Sequence, residues 1–347
     1  MALFTRHSLG AQTAYSELKR RASEQESVLL GTPGSVDERT VNGSRFFYRQ
    51  FYDAEGKKSA EYLGPATGQG AARAEDVRAQ IVLANELLRE ARDLARAGYV
   101  RTEPRTSAIV ASLANHSLFR AGAMLVGSHA YGALLNELGV RAAAYLTEDL
   151  DIARGNPLGL ALAEGQTFAT MLEASRVPLL AVPSFDRKAP STSFKVKGAG
   201  RLRVDLLAAG RGKEPSTRAV PELRAHATAL PHLGYLLDAS LEGVVLGKEN
   251  VVAVRLPTPE RLAWHKMLVS ELRGATREKR SKDLQQAATL VAVLAEDAPE
   301  SLADAFRALP RGTGALVRRA TKQVRATLES AGHTRAVEAL ETSGQKG

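Results

Sequence analysis

The chain has 347 residues and a mass of 37.1 kDa, with 44% hydrophobic and 24% charged residues. This predicts a folded protein of two or three domains and excludes a minimal module, a disordered chain or a fibre. Cysteine is absent, which excludes disulfides, thiolate zinc sites, iron–sulfur clusters and cysteine nucleophiles, so any metal must be held by oxygen or imidazole. Lysines and arginines outnumber aspartates and glutamates by 47 to 38, a formal charge of +9. A polyanionic partner would suit this excess, although a basic surface that binds nothing gives the same count.

The sequence carries no obvious membrane or export signal. No window approaches 18 uninterrupted apolar residues, and the segment Met1–His7 lacks the apolar core of a secretory signal. We therefore expect a cytoplasmic protein without a membrane partner, and the sequence leaves its oligomeric state open.

The first region, residues 1–104, is predicted to contain a β-hairpin and a long helix. Segments 45–52 and 59–63 are rich in aromatic residues, and Asp53–Gly56 between them is typical of a hairpin turn. The basic residues Arg45, Arg49, Lys57 and Lys58 are interleaved with these aromatics. The hairpin could be a nucleic-acid surface, although packing against a neighbouring helix is the commoner arrangement.

Apolar residues recur at helical spacing between residues 72 and 97, and Gly98 supplies a stop. The composition changes at residues 102–106, where we place the first domain boundary. Residues 105–255 mix strand and helix patterns, whereas beyond Pro257 the apolar period is helical. The sequence thus predicts an α+β protein with a central domain at 105–255 and a helical domain at 256–347.

A strand, a Gly-Ser turn and a helix are predicted at the start of the central domain. The apolar run 123–126 leads into Gly127 and Ser128, and a helical pattern follows as far as Gly139. A glycine lets a phosphate approach the backbone, a serine hydroxyl adds a hydrogen bond, and a helix N-terminus offers free amides to an anion. Alone this pair is weak evidence, and its weight comes from the residues downstream.

Two further segments alternate acidic and apolar residues. In a strand, Asp149 and Asp151 share one face while Leu150 and Ile152 point to the core. The segment 201–207 has the same pattern and places Asp205 opposite its apolar residues. Three carboxylates on adjacent strands repel one another, and a divalent cation relieves that repulsion. Carboxylate oxygens favour Mg²⁺ or Mn²⁺, although three unrelated surface aspartates would give the same pattern.

Gly127-Ser128, Asp149-Leu150-Asp151 and a single Asp205 in an apolar strand together resemble the DNA polymerase β-like nucleotidyltransferase superfamily. The resemblance implies that fold's mixed sheet with helices, an NTP substrate and Mg²⁺ or Mn²⁺ as cofactor. It also implies that Gly127 and Ser128 hold the triphosphate and that Asp149 and Asp151 bind metal. Asp205 would bind metal and activate the incoming hydroxyl, so the three aspartates form the implied catalytic set.

The chain departs from that pattern in one respect. Ser128 and Asp149 are 21 positions apart, which is longer than is common in the superfamily. Residues 139–145 must therefore form a loop or an extra strand. Gly-Ser-His-Ala-Tyr followed by Thr-Glu-Asp-Leu-Asp-Ile-Ala-Arg is also similar to a group of bacterial nucleotidyltransferase-fold proteins.

Two polar-studded helices in the last region, at 259–266 and 280–287, resemble the lysine and aspartate motifs of abortive-infection-type nucleotidyltransferases. That resemblance implies that Lys266 contacts the nucleotide phosphates, with Lys282 and Asp283 as second candidates. The alternative is a solvated helix face that binds nothing.

Several other patterns carry less information. Residues 243–249 have only three residues between the glycines of a P-loop, and Glu249 stands where Ser or Thr is needed, so we expect a turn between strands. Residues 68–73 lack the third glycine of a dinucleotide site, the histidines lack zinc-ligand spacing, and no serine lies in a Gly-x-Ser-x-Gly elbow. His129, next to Ser128, could touch a phosphate or a base, or could simply bond locally.

The sequence therefore favours a metal-dependent enzyme that moves a nucleoside monophosphate from an NTP such as ATP to an acceptor hydroxyl, releasing pyrophosphate. An RNA 3′ end suits the basic charge, and a protein or small-molecule hydroxyl is the alternative acceptor. A catalytically silent nucleotide-binding or nucleic-acid-binding module is a second hypothesis. A toxin or defence role is compatible with the first chemistry.

Overall fold

A computed structural model describes residues 2–144, 147–155, 157–159, 162–183, 189–272 and 277–345, excepting the side chains of 343–345. Helices and sheets are both abundant and are interleaved through the first two thirds, which confirms the α+β class. The domain boundaries at 104 and 255 stay predictions. No described helix is both long and apolar enough to cross a bilayer.

The N-terminal region holds a three-stranded antiparallel sheet in the order β2-β3-β4, covered by a long helix. Its elements are β1 (Phe4–Arg6), α1 (Leu9–Ser23), β2 (Ser35–Val41), β3 (Ser44–Tyr52), β4 (Lys58–Pro65) and α2 (Gly68–Arg96). The predicted hairpin and long helix are confirmed, whereas the third strand, β2, was not foreseen because its alternation is mostly polar and exposed.

The two faces of this N-terminal sheet differ. On one face Leu63 packs with Ala74 and Val77 of α2, which confirms the expected packing on a helix. On the other face the rings of Tyr48 and Tyr62 lie 5.5 Å apart, and Tyr62 is 50% exposed. A nucleic-acid role for that outer face stays a prediction.

The strands and helices of the central sheet are α3 (Pro104–Asn115), β5 (Ala123–Val126), α4 (Gly127–Glu137), β7 (Asp149–Arg154), α5 (Phe168–Ala174), β8 (Leu179–Ala181), β9 (Ser193–Val196), β10 (Arg203–Gly210), β11 (Ser216–Val220), β12 (Ala225–Pro231) and α6 (Leu233–Leu237). The strand order is β11-β12-β10-β7-β5, and the antiparallel pair β8–β9 joins the sheet through pairing of β9 with the first residues of β10. β10 runs parallel to β7 and β12, whereas β5 and β9 are antiparallel to their neighbours. The core lies against one face of this sheet, where apolar side chains of β7 and β10 are completely buried.

Two small strand pairs complete the central region: β6 (Val140–Ala142) with β1, and β13 (Ser240–Leu246) with β14 (Val251–Pro257). β6 is an extra strand, one of the two alternatives expected for residues 139–145, of which residue 145 lies outside the described residues. Residues 243–249, which resemble a P-loop only in part, begin inside β13, and the second half of this segment forms the turn into β14. This turn confirms that the sequence there is not a phosphate-binding loop before a helix.

The last region is helical, as the apolar period predicted. Its helices are α7 (Pro259–Leu272), α8 (Arg277–Asp297), α9 (Pro299–Arg307), α10 (Gly314–Ala331) and α11 (Thr334–Gln345). Trp264 of α7 is almost completely buried and donates its indole N–H to the Leu302 carbonyl at 2.9 Å. α7 and α8 pack along one another, and α8 begins beside the acidic strands of the central sheet.

Candidate active site

The three predicted aspartates lie on one face of the central sheet. In the parallel pair β7–β10, Asp205 is in register with Asp151, and Arg203 with Asp149. Side chains alternate along a strand, so the residues between them, Leu150 and Val204, point to the other face, where both are fully buried. The alternation read from the sequence is therefore observed, and the fold brings the three carboxylates together as neighbours on adjacent strands.

Gly127 lies directly against this acidic face. β5 ends at Val126, which is in register with Asp151, and α4 begins at the next residue. A Cβ at Gly127 would lie 2.2 Å from Asp151 Oδ2, and its φ of +70° is in the left-handed region. Only glycine meets both conditions without strain, because it lacks the Cβ that would clash. The predicted strand and helix are confirmed, but α4 starts at Gly127 itself instead of after a turn.

Ser128 occupies the first turn of α4, where backbone N–H groups have no partner inside the helix. It is 5% exposed, and Lys282 of α8 donates to its hydroxyl at 3.1 Å. Lys279, one turn earlier in α8, has its ammonium 3.9 Å from Asp149 Oδ2. The sequence indicated Lys282, whereas Lys279 was missed. Its spacing of three residues from Lys282 places both on one helix face and could have revealed it.

His129 is buried behind this helix start. Its Nε2 lies 2.9 Å from the Thr147 carbonyl, and burial lowers the pKa of His129 to about 4. At neutral pH the imidazole is therefore uncharged, with Nε2–H as the donor to Thr147. His129 thus ties α4 to the segment that leads into β7, which is the local bond that the sequence offered as one alternative.

Asp205 is held by two side chains that the sequence reasoning did not select. Arg203 donates from Nε to Asp205 Oδ1 at 2.8 Å, and the Ser193 hydroxyl donates to the same oxygen. Arg203 also donates to Ser193 Oγ at 2.7 Å, which closes a triangle of hydrogen bonds. Ser193 could not be found from the sequence because β9 pairs with β10 only in the fold, but Arg203 shares the parity of Asp205 in one strand.

Lys266 lies elsewhere, in the seam between α7 and α8. Its ammonium is 2.8 Å from Asp283 Oδ1, and the two side chains are only 7% and 1% exposed. Of the two predicted phosphate-binding lysines, the structure brings Lys282 to Ser128 and keeps Lys266 on Asp283. The predicted contact between Lys266 and a nucleotide stays a prediction, and it would require this pair to open.

The three aspartates on this face are the candidates to hold a divalent cation. Within the described ranges, no group of three or more His, Asp and Glu side chains is arranged to hold a metal ion. The donor atoms themselves suit Mg²⁺ or Mn²⁺, because Asp149, Asp151 and Asp205 present carboxylate oxygens from neighbouring positions on one face of the sheet. Arg203 and Lys279 partly neutralise these carboxylates at present, so a metal would share or replace those contacts.

A protein-family model described as nucleotidyltransferase matches residues 104–310, more than half of the chain. The chain belongs to this nucleotidyltransferase family. The match includes the Gly-Ser pair, all three aspartates and the α7–α8 seam, and it does not include the N-terminal sheet. Membership supports nucleotidyl transfer in general with an NTP as donor. No curated protein and no solved structure matches the chain.

Proposed function

We propose that this nucleotidyltransferase is a metal-dependent enzyme that transfers a nucleoside monophosphate from an NTP to an acceptor hydroxyl and releases pyrophosphate. One observation carries the proposal. Three aspartates share a sheet face, with Asp205 in register with Asp151, Gly127 against Asp151 and lysines of α8 beside them. Phosphoryl transfer depends mainly on positioning and charge neutralisation, and this arrangement offers both.

Asp149, Asp151 and Asp205 are the residues that would hold Mg²⁺ or Mn²⁺. When bound, such a metal neutralises charge that develops on the phosphoryl oxygens and helps to align the attacking and leaving oxygens. The match to a nucleotidyltransferase family supports this assignment. The likeness of the Gly-Ser and Asp-x-Asp segments to those of the polymerase β-like superfamily supports it as well. The lysine and aspartate motifs in α7 and α8 add a likeness to abortive-infection-type nucleotidyltransferases.

The triphosphate would lie at the start of α4. Gly127 lets the chain turn into α4 directly against the Asp151 carboxylate, and the free amides of the first turn would face an anion bound there. Lys282 already bonds the Ser128 hydroxyl, so its ammonium stands within reach of a phosphate bound there. Lys279 adds a second positive charge on the side of Asp149.

Asp205 is the residue that would accept the proton of the acceptor hydroxyl. Both hydrogen bonds given to its carboxylate go to Oδ1, and Arg203 and Ser193 thereby fix its orientation. Among the described residues Oδ2 has no hydrogen-bond donor, which leaves that oxygen for the hydroxyl. A carboxylate in this position acts as general base only if the hydroxyl comes within hydrogen-bond reach of it.

The test is pyrophosphate release from each of the four NTPs with Mg²⁺ or Mn²⁺, in the presence of total RNA or total protein. We compare the wild type with an Asp149→Asn, Asp151→Asn double variant and use Asp37→Asn, an exposed strand aspartate outside the site, as control. The proposal predicts release by the wild type and the control only. Equal pyrophosphate release by the double variant would show that Asp149 and Asp151 take no part in the reaction.

The same assay decides the alternative function, a nucleotidyltransferase fold that binds without turnover. NTP binding measured by calorimetry, with no pyrophosphate released under any metal or acceptor, would establish that alternative. The presence of all three carboxylates on one face is the observation against it.

A further inference from the structure

The β9–β10 hairpin, residues 193–205, carries an unusual run of positive charge. Lysine or arginine stands at 195, 197, 201 and 203, and no acidic residue occurs before Asp205. β9 and β10 are antiparallel, with Lys195 opposite Arg203 and Ser193 opposite Asp205. The same register continues toward the turn, where Val196 N–H donates to the Leu202 carbonyl at 3.0 Å, so Lys197 stands opposite Arg201. We call Lys195, Lys197, Arg201 and Arg203 the hairpin cations.

All four hairpin cations lie on the same face, because they share strand parity and cross-strand register. The residues between them, Val196, Leu202 and Val204, are 3%, 7% and 0% exposed and anchor the other face in the core. The orientation of the cations is therefore fixed by packing. The face they occupy is the one that carries Asp205, Asp151 and Asp149.

The hairpin cations are exposed and largely uncompensated. Arg203 pairs with Asp205, whereas Lys195, Lys197 and Arg201 form no ion pair with any residue that the structure describes. Four like charges on one small face repel each other, and water alone screens them only partly. A polyanion would relieve that repulsion.

The hairpin cations lead directly to the acids. Successive cross-strand pairs, 197 with 201, then 195 with 203, then 193 with 205, lie about 7 Å apart along the strands. Neighbouring strands are about 4.8 Å apart, so Lys195, Arg203 and Asp149 form one row across the sheet. The hairpin cations thus lie on the β9 side of the aspartates, whereas Lys279 and Lys282 lie on the β7 and β5 side. The site thus has two separate positive regions, one on each side of the aspartates.

We infer that the acceptor is a single-stranded nucleic acid whose backbone lies along the hairpin cations and whose terminal hydroxyl reaches Asp205. The inference rests on the proposed function for the role of Asp205. The spacing of the charged pairs is close to that of successive phosphates in an extended strand, and a groove of positive charge that tracks the backbone is how such strands are held. A compact anion such as a single NTP would need only one of the two positive regions.

The experiment measures binding of 5′-labelled 20-nucleotide RNA and DNA by fluorescence anisotropy at several salt concentrations, without NTP or metal. The variant is Lys195→Gln, Lys197→Gln, Arg201→Gln, which leaves Arg203 on Asp205. The matched control, Arg311→Gln, Arg318→Gln, Lys322→Gln, removes the same charge from exposed positions near and on α10. Circular dichroism verifies that both variants fold, and the single variant Lys197→Gln replaces the triple variant if that one does not.

Each phosphate contact in a single strand contributes about 0.7 to the slope of log Kd against log salt. The triple variant should therefore lower that slope by about 2 and weaken binding about 100-fold at 0.1 M salt relative to the control. Lys197→Gln alone should lower the slope by about 0.7. Tighter binding of RNA than of DNA would indicate an RNA acceptor, and tighter binding of DNA would indicate a DNA acceptor.

Equal affinity of the hairpin variant and the control would overturn the inference, as would competition by polyglutamate as effective as that by RNA. The second result would point to an acidic protein instead. Because the assay contains no NTP, its outcome is independent of turnover. Loss of binding in the hairpin variant supports a nucleic-acid site on the hairpin cations even if the wild type releases no pyrophosphate, a result that would overturn only the acceptor role at Asp205. Equal binding defeats the inference even if transfer is observed.

Discussion

Charged side chains are used in two opposite ways in the α7–α8 seam and on the acidic face of the central sheet. In the seam, Lys266 and Asp283 are almost fully buried and bond each other at 2.8 Å. On the acidic face, the Asp149 side chain is 41% exposed and its ion pair with Lys279 is long, at 3.9 Å. A charge inside the protein must be matched closely, whereas a charge facing solvent can remain loosely matched.

The buried pair in the seam should contribute to stability, whereas the exposed carboxylates of the acidic face should contribute to binding and transfer. The Lys266–Asp283 ion pair is buried in the seam, so its loss should destabilise the folded protein. The acidic face holds carboxylates beside one another against their repulsion, so its loss should spare or even raise stability while removing function. The predictions below test that separation from the largest expected effect to the smallest.

Lys266→Met should lower the free energy of unfolding by about 3–5 kcal/mol, because removing one partner of a buried ion pair leaves the Asp283 charge poorly compensated. Lys282→Met should cost far less stability but weaken NTP binding. Denaturant unfolding and nucleotide calorimetry on both variants measure the contrast. Lys266→Met with Asp283→Leu should recover most of the loss. A Lys266→Met protein that keeps wild-type stability yet loses NTP affinity would assign Lys266 to the nucleotide instead.

Asp151→Asn should reduce transfer about 10²–10³-fold, the usual cost of removing one group that stabilises developing charge. Its stability should equal or exceed that of the wild type, because one of three neighbouring negative charges is gone. Pyrophosphate release and thermal unfolding test the two statements, with Asp37→Asn as the matched control. Transfer at the wild-type rate would show that the acidic face does not take part.

The acidic face was accessible to sequence reasoning because it depends on local alternation. Asp151 and Asp205 each sit between apolar residues, Asp149 precedes Leu150, and that parity survives in the fold. The contacts of Ser193 with Asp205 and of Asp283 with Lys266 were not accessible, since they arise only through strand pairing and helix packing. For the same reason β2 was missed: its pairing with β3, more than its own pattern, makes it a strand.

His129 should make the protein less stable as the pH falls. Its pKa in the folded protein is lowered to about 4, against about 6.5 when unfolded, so the unfolded chain binds the proton first. The stability present above pH 6.5 is then lost between about pH 6.5 and 4, by about 3 kcal/mol at most. Denaturant midpoints over this range should vary less for His129→Gln than for the wild type. His232→Gln, at a more exposed site, is the comparison, and an identical pH profile for His129→Gln would contradict the prediction.

Gly127→Ala should be more damaging than an alanine at a glycine with similar backbone geometry. Gly127 and Gly43 have φ of +70° and +77°, but a Cβ at Gly43 would meet nothing within 4 Å, whereas at Gly127 it would meet Asp151. Both variants pay for the left-handed backbone, about 1–2 kcal/mol. Only Gly127→Ala should also displace the Asp151 carboxylate and reduce transfer. Equal loss of activity in the two variants would show that the contact with Asp151 is unimportant.

Glu249 should have the smallest effect and the opposite sign to His129. It lies in the β13–β14 turn, where burial and the charge of Asp53 raise its pKa to about 7, and among the described residues its Oε2 has no hydrogen-bond partner. The pKa of Glu249 is about 7 in the folded protein and about 4.5 in the unfolded chain, so the folded protein binds the proton more tightly. This stabilisation is complete below pH 4.5 and is lost as the pH rises through 7. Glu249→Gln should therefore gain stability over the wild type at pH 8 but not at pH 4, by less than about 1 kcal/mol because the site is partly solvated. Thermal unfolding at the two pH values, with Glu242→Gln on the same hairpin as control, measures the gain. A gain of the same size at both pH values would mean that packing of the amide, and not removal of a poorly solvated charge, is responsible.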